Sequence, residues 1–220
     1  MQSHAKLLWC PVDIPKFPYS DFNPSLEVKE FFAWKYKKLI RSKRGSSTIS
    51  EINPIVCKEY PDLIDWINLF PFKTIRKINL HTQIKECQSH LDFGYQQVIK
   101  KGYDKKLYNN NFINEPCGYQ TLILGSKTNM QYIIYNSEKV YTTIPDDTDT
   151  FLLRSTETIH GVDEEPGRTI LYMHFEIDYE KNKKLIQSSL KKYSDYAIYG
   201  TEEIYNADIK HWNESVGLNK

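Results

Sequence analysis

The chain has only four cysteines in 220 residues, Cys10, Cys57, Cys87 and Cys117, and no two stand close enough to form a CxxC pair. That excludes a zinc ribbon and a thioredoxin-type redox motif and leaves reduced, mostly buried thiols as the expectation. Charge of one sign is also missing. Twenty-nine Lys and Arg against 28 Asp and Glu leave a formal net charge of +1, so no general field draws the protein to nucleic acid or an anionic membrane. No apolar run approaches the ~20 residues of a membrane-spanning helix, and the opening "MQSHAKLLWCPVDIPKF" lacks the order of a secretory signal. The expectation is a cytoplasmic protein with no membrane partner and a small-molecule substrate, with nucleic acid disfavoured.

What is present is apolar and aromatic residue in quantity, 40% hydrophobic and 14% aromatic, enough for one core and short for two. We expect a single domain over 1–220: a helical N-terminal extension at 1–65, a β-rich core at 66–178 and a helical C-terminal segment at 179–220. Asn23 as N-cap and Pro24 at the first helical position open an amphipathic helix with Val28, Phe31, Phe32, Tyr36 and Leu39 on one face, ending near Gly45. Its basic residues between Lys35 and Arg44 would suit docking on a macromolecule. A second helix is read in "YPDLIDWINLF".

From "KTIRKINLHTQI" onward the pattern changes to period two. "CGYQTLILGS", "MQYIIYNS", "KVYTTIP", "TFLLRSTETIHGV" and "RTILYMHFEID" are short β-branched or aromatic runs divided by Gly, Pro, Asn and Asp. Strands at this spacing predict a mainly β sandwich or barrel with flanking helices.

Within this region "CQSHLDFGYQ" places His90 and Asp92 two residues apart. In a strand such residues share a face, so both could reach one metal ion. A histidine followed two positions later by a carboxylate is expected about once by chance in this composition, so the pair needs company. His160 closes "TFLLRSTETIHGV", and Arg168 opens the next strand after the turn "DEEPG". Two histidines and a carboxylate suit an iron(II) site with open positions. Arg168, Ile170, Tyr172 and His174 share one strand face, and the planar guanidinium there suits a bound carboxylate. The bland alternative pairs Arg168 with Asp163, Glu164 or Glu165 of the preceding turn.

His90, Asp92, His160 and Arg168, in that order, resemble the iron(II) and 2-oxoglutarate-dependent dioxygenases over roughly residues 70 to 178. The resemblance implies a double-stranded β-helix, or jelly roll. It implies iron held by His90, Asp92 and His160, with 2-oxoglutarate as co-substrate chelating the metal and anchored by Arg168. Dioxygen would be consumed, with succinate and carbon dioxide released as an organic substrate is hydroxylated at an unactivated C–H bond. The carboxylate at position 92 points to hydroxylation, since halogenases similar to this family carry a small residue there. Many relatives place Ser or Thr two residues after the arginine, where this chain has Ile170. Tyr119, Thr121 and Tyr132 are the hydroxyls expected to substitute for it in co-substrate binding. Residues 109–116, "NNNFINEP", occupy the place of a lid. Two further readings stay open: a cupin-like metal-binding protein without oxygenase activity, and an oxygenase acting on a protein side chain or nucleobase.

Overall fold

A computed structural model describes residues 5–24, 26–28, 47–52, 56–91, 118–155 and 157–216. The chain is mainly antiparallel β with a few helices. Twelve strands are described: β1 (Lys6–Pro11), β2 (Leu26–Val28), β3 (Ser47–Ile52), β4 (Phe72–Gln83), β5 (Cys87–His90) and β6 (Tyr119–Leu124) in the first half, then β7 (Gln131–Tyr135), β8 (Glu138–Thr142), β9 (Thr150–Leu153), β10 (His160–Val162), β11 (Thr169–Ile177) and β12 (Ile198–Gly200). Among the described residues four α-helices join them, α1 (Val56–Glu59), α2 (Pro61–Ile67), α3 (Tyr179–Lys192) and α4 (Glu202–Val216), with a 3₁₀ turn at Ser194–Tyr196.

The strands form an eight-stranded sheet in the order β12-β1-β9-β6-β11-β4-β3-β2 and a four-stranded sheet in the order β5-β10-β7-β8. Their pairing is nested. The β7–β8 hairpin is the innermost pair, and outside it β6 pairs with β9, β5 with β10, and β4 with β11. Two further pairings, β10 with β7 and β11 with β6, fold this ribbon over so that its strands divide between the two sheets.

Each face of the large sheet has its own core. Leu122, Phe151, Leu153 and Ile170 turn inward and meet Met130, Ile133 and Ile144 from the small sheet's side. Tyr119, Leu152, Leu171 and Met173 turn outward beneath α1, α2 and α3, where they meet Val56, Leu63, Trp66, Ile67 and Phe70. Alternation along β6 and β11 produces this division: Ile170 sits opposite Leu122, and Leu171 opposite Thr121.

Local chemistry explains several elements. Pro61 begins α2, where its missing N–H costs nothing, and α2 turns Leu63, Trp66 and Ile67 to the sheet. Asp178 caps α3 by accepting from the Lys181 amide at 3.1 Å. Asn136 and Ser137, with φ of 53° and 67°, make the tight turn of the β7–β8 hairpin. Both of their amides donate to the buried Asp208 carboxylate of α4, at 3.2 and 2.6 Å, so the helix is tied to the hairpin tip.

Two expectations change. The N-terminal 65 residues contribute three strands as well as helices, with β1 lying between β12 and β9. Residues 26–28, read as the opening of an amphipathic helix, pair instead with β3 as a strand. Backbone pairing to a partner over twenty residues away overrides local periodicity there. The remainder of that helix and its basic face at 35–44 lie outside the described residues. Among the described residues no helix is long and apolar enough to cross a membrane.

Candidate functional site

β5 ends at His90 and β10 begins at His160, and the antiparallel register sets these two residues directly opposite one another. Their imidazole centroids are 4.4 Å apart. His160 also lies opposite Ile133, which belongs to the core between the sheets, so the histidine pair faces inward. His160 is buried and His90 half-buried.

The hydrogen bonds decide the tautomers. His160 Nδ1 is 2.8 Å from the Thr158 carbonyl oxygen, and His90 Nδ1 is 2.9 Å from that of Gln88. A carbonyl only accepts, so each Nδ1 carries the proton and donates it. A neutral ring then holds its lone pair on Nε2, the arrangement in which a backbone carbonyl orients a histidine toward a metal. Cys87, at the other end of β5, brings its Sγ to 3.7 Å from His90 Nδ1. Asp92, the implied third ligand, lies outside the described residues, as do residues 109–116. Among the described residues no cluster of three or more His, Cys, Asp or Glu side chains forms a metal-binding group.

Arg168 stands immediately before β11. Its side chain is only 6% exposed, and both Nε and Nη2 are buried without a hydrogen-bond partner. Glu165 is the nearest acid, but its Oε2 lies 4.0 Å from Nε while its Oε1 accepts from the Ser126 amide at 2.7 Å. The turn-pairing alternative therefore has the right residue at a distance too long for a hydrogen bond. Burial draws the guanidinium down from its ordinary value to about 10, against the opposing pull of Glu165 and Cys87, so it stays charged at neutral pH. Gly125, with φ of 132°, lies against the arginine's stem: a Cβ there would stand 3.0 Å from Arg168 Cγ.

The three hydroxyls expected beside Arg168 point elsewhere. Tyr119 faces outward and donates to Asn182 Oδ1 of α3 at 2.5 Å. Thr121 shares that outer face and exchanges a 3.0 Å hydrogen bond with Thr150. Tyr132 sits opposite Gly161, one residue out of step with the inward His160–Ile133 pair, so it lies on the far face of the small sheet. There it packs edge-on against Tyr141, with Lys139 Nζ 4.1 Å from its ring centroid. Ile170, in the place of the familiar Ser or Thr, is buried in the core between the sheets.

A polar set on the inner face was missed by sequence reasoning. Tyr172 lies opposite both Asn79 and Gln120, and Ile170 opposite His81, so Asn79, His81, Tyr172 and Gln120 share the inward side. Gln83 continues the series on β4, donating from Nε2 to the Asp163 carbonyl at 2.6 Å while its Oε1 is buried without a partner. The alternation of Asn79, His81 and Gln83 with Ile78 and Leu80 was visible, but polar residues alternating in a strand ordinarily mark a solvent face. Placement of β4 between β11 and β3 reverses that reading. No family model and no curated protein matches the chain.

Proposed function

We propose that this protein is an iron(II)- and 2-oxoglutarate-dependent oxygenase that hydroxylates an unactivated C–H bond of an organic substrate, with release of succinate and carbon dioxide. The observation that carries the reading is the pairing of two inward imidazoles with a buried arginine, across the polar turn that follows His160, whose Nε and Nη2 lack hydrogen-bond partners. The nested pairing of β4 with β11, β5 with β10, β6 with β9 and β7 with β8 supports a double-stranded β-helix, which supplies the same scaffold.

The donor set fits the metal. Both imidazoles hold Nδ1 on a carbonyl and keep Nε2 as the donor nitrogen, and imidazole with carboxylate suits iron(II). His90, His160 and Asp92 would hold the ion, which when bound would supply the oxidative chemistry with dioxygen and co-substrate. The chain's own contribution is positional. Carbonyls of Gln88 and Thr158 prevent rotation of the rings. Arg168 takes the remote carboxylate of 2-oxoglutarate, and the guanidinium donors buried without partners gain them on binding. Leu122, Ile133 and Ile170 line an apolar wall that excludes water.

The test is anaerobic titration of iron(II)-loaded protein with 2-oxoglutarate, following the weak visible charge-transfer band of the chelate. The band is expected in wild type and weakened in Arg168→Ala. Bound iron with no band would favour a cupin-like binding protein, and no bound iron would return His90 and His160 to an ordinary packed pair.

A further inference from the structure

Three links cross between the two sheets at one end of the molecule: 84–86 joins β4 to β5, 125–130 joins β6 to β7, and 163–168 joins β10 to β11. Register places them together. Thr169 lies opposite both Thr82 and Leu124 in the large sheet, and Val162 lies opposite Cys87 in the small one. Inward positions beside these links are polar. Arg168 stands two residues before Ile170 and Gln131 two before Ile133, both isoleucines being in the core between the sheets. Gln83 stands two after His81, which faces Ile170 across the strands. Its amide donates to the Arg168 carbonyl at 2.8 Å, so these two are neighbours in the large sheet, with Gln131 at the same end of the small one. Gln83 is 5% exposed and Gln131 3%, as deeply buried as Arg168.

Each of the three keeps a hydrogen-bonding atom buried with no partner: Nε and Nη2 of Arg168, Nε2 of Gln131 and Oε1 of Gln83. Three of these atoms are donors and one is an acceptor. We propose that Gln131 is a further binding residue of the anion pocket, donating from Nε2 to the carboxylate that Arg168 holds, and that Gln83 Oε1 takes a guanidinium N–H which the carboxylate leaves over. The identity of that carboxylate as the remote one of 2-oxoglutarate rests on the oxygenase reading above. A planar carboxylate takes two parallel bonds from a guanidinium fork and keeps lone pairs for a third donor. Ile170 has no hydroxyl to give, and the Gln131 amide supplies the missing donor from the opposite sheet. Neighbouring charges are engaged elsewhere. Glu165 Oε1 accepts from the Ser126 amide at 2.7 Å, Asp163 pairs with Lys139 at 3.3 Å, and Lys127 pairs with Asp149 at 2.7 Å. Buried polar atoms left unmatched cost stability, and three residues carrying them at one end of the interior suit a ligand better than packing.

Glutarate reads the pocket without metal, because it carries the remote carboxylate of 2-oxoglutarate and has no 2-oxo group to chelate iron. The melting temperature of the full, metal-free chain is followed against glutarate and against its neutral diamide, glutaramide. Glutarate is expected to raise it saturably and glutaramide to leave it unchanged. Gln131→Leu removes the donor without adding charge. It should need about ten- to a hundredfold more glutarate for the same rise, the loss expected for one hydrogen bond to a charged group, and should melt no lower than wild type without ligand. Gln131→Glu sets a carboxylate where the ligand's own should lie, and should abolish the response. Titration of the iron(II)-loaded protein with 2-oxoglutarate, followed by the chelate band, should rank the three proteins in the same order. A glutarate response in wild type with no band on the iron-loaded protein would uphold the pocket while failing the oxygenase reading. No glutarate response in wild type, an unchanged response in Gln131→Leu, or a lowered ligand-free melting temperature in both variants would overturn the proposal.

Discussion

The two faces of one sheet handle polar groups differently. On the outer face, Tyr119 is matched to Asn182 and Thr121 to Thr150, within a core sealed by helices. On the inner side, Arg168 keeps Nε and Nη2 unpartnered, and Gln83 keeps Oε1 unpartnered, all buried. The groups compared are buried on both faces, so burial does not separate them. Satisfaction does: a polar group matched inside the protein contributes to folding, whereas one buried and unmatched costs stability unless something binds it. The contrast sets the outer hydroxyls apart as structural and makes Arg168 the cation to test as the proposed binding group.

The largest test of this contrast is Arg168→Leu. Removing the guanidinium should weaken 2-oxoglutarate binding by at least about a hundredfold, as truncation of one partner of a buried charge pair does. Without co-substrate the same variant should melt no lower than wild type, because a buried guanidinium with two donors lacking hydrogen bonds has gone. A matching loss of stability would mean that the arginine is satisfied within the fold. Gly125→Ala comes next. Positive φ and the 3.0 Å approach to Arg168 Cγ should cost about 1–2 kcal/mol in denaturant unfolding. Displacement of the arginine should add a several-fold loss of co-substrate affinity.

On the outer face, Tyr119→Phe should cost about 1 kcal/mol of stability by removing the hydrogen bond to Asn182. The chelate band should not change, and a shift in it would erase the distinction between the faces. The smallest effect concerns pH. The Tyr141 hydroxyl hydrogen bond, with further help from Lys139, holds the Asp163 carboxyl below its ordinary range against a partial desolvation cost. A depressed folded-state value stabilises the protein above the ordinary carboxylate pKa and is lost as pH falls through the depressed value. Asp163→Asn should therefore flatten the acid limb of a melting-temperature profile slightly and leave the neutral region little changed. The small size follows from the carboxylate's being half exposed.

The candidate histidines and the arginine could be named from local order: His90 closes a strand-like run, and His160 and Arg168 stand on either side of a polar turn. The predicted strands match β4, β6, β7, β8 and β11 closely, because period two and turn residues are local signals, whereas the single run expected at 150–162 divides into β9 and β10 in different sheets. Choosing a co-substrate hydroxyl was a different problem. In "YIIY" the residues are all apolar or aromatic, so nothing local says whether Tyr132 or Ile133 turns inward. The register with His160 decides it, and a slip of one residue would exchange the two. Tyr119 and Thr121 failed for the same reason: β6 has a core on each face.

By itself the sequence determined the class of secondary structure in the core, the order of the chemistry-bearing residues and the absence of an overall charge bias. Tertiary structure decided the rest: that residues 26–28 form a strand, that β1 enters the large sheet, that His90 and His160 meet ring to ring, and that Tyr172 stands opposite both Asn79 and Gln120. Periodicity and residue type act between near neighbours along the chain. Facing, register and the satisfaction of a buried charge depend on partners distant in sequence, which only the folded chain brings together.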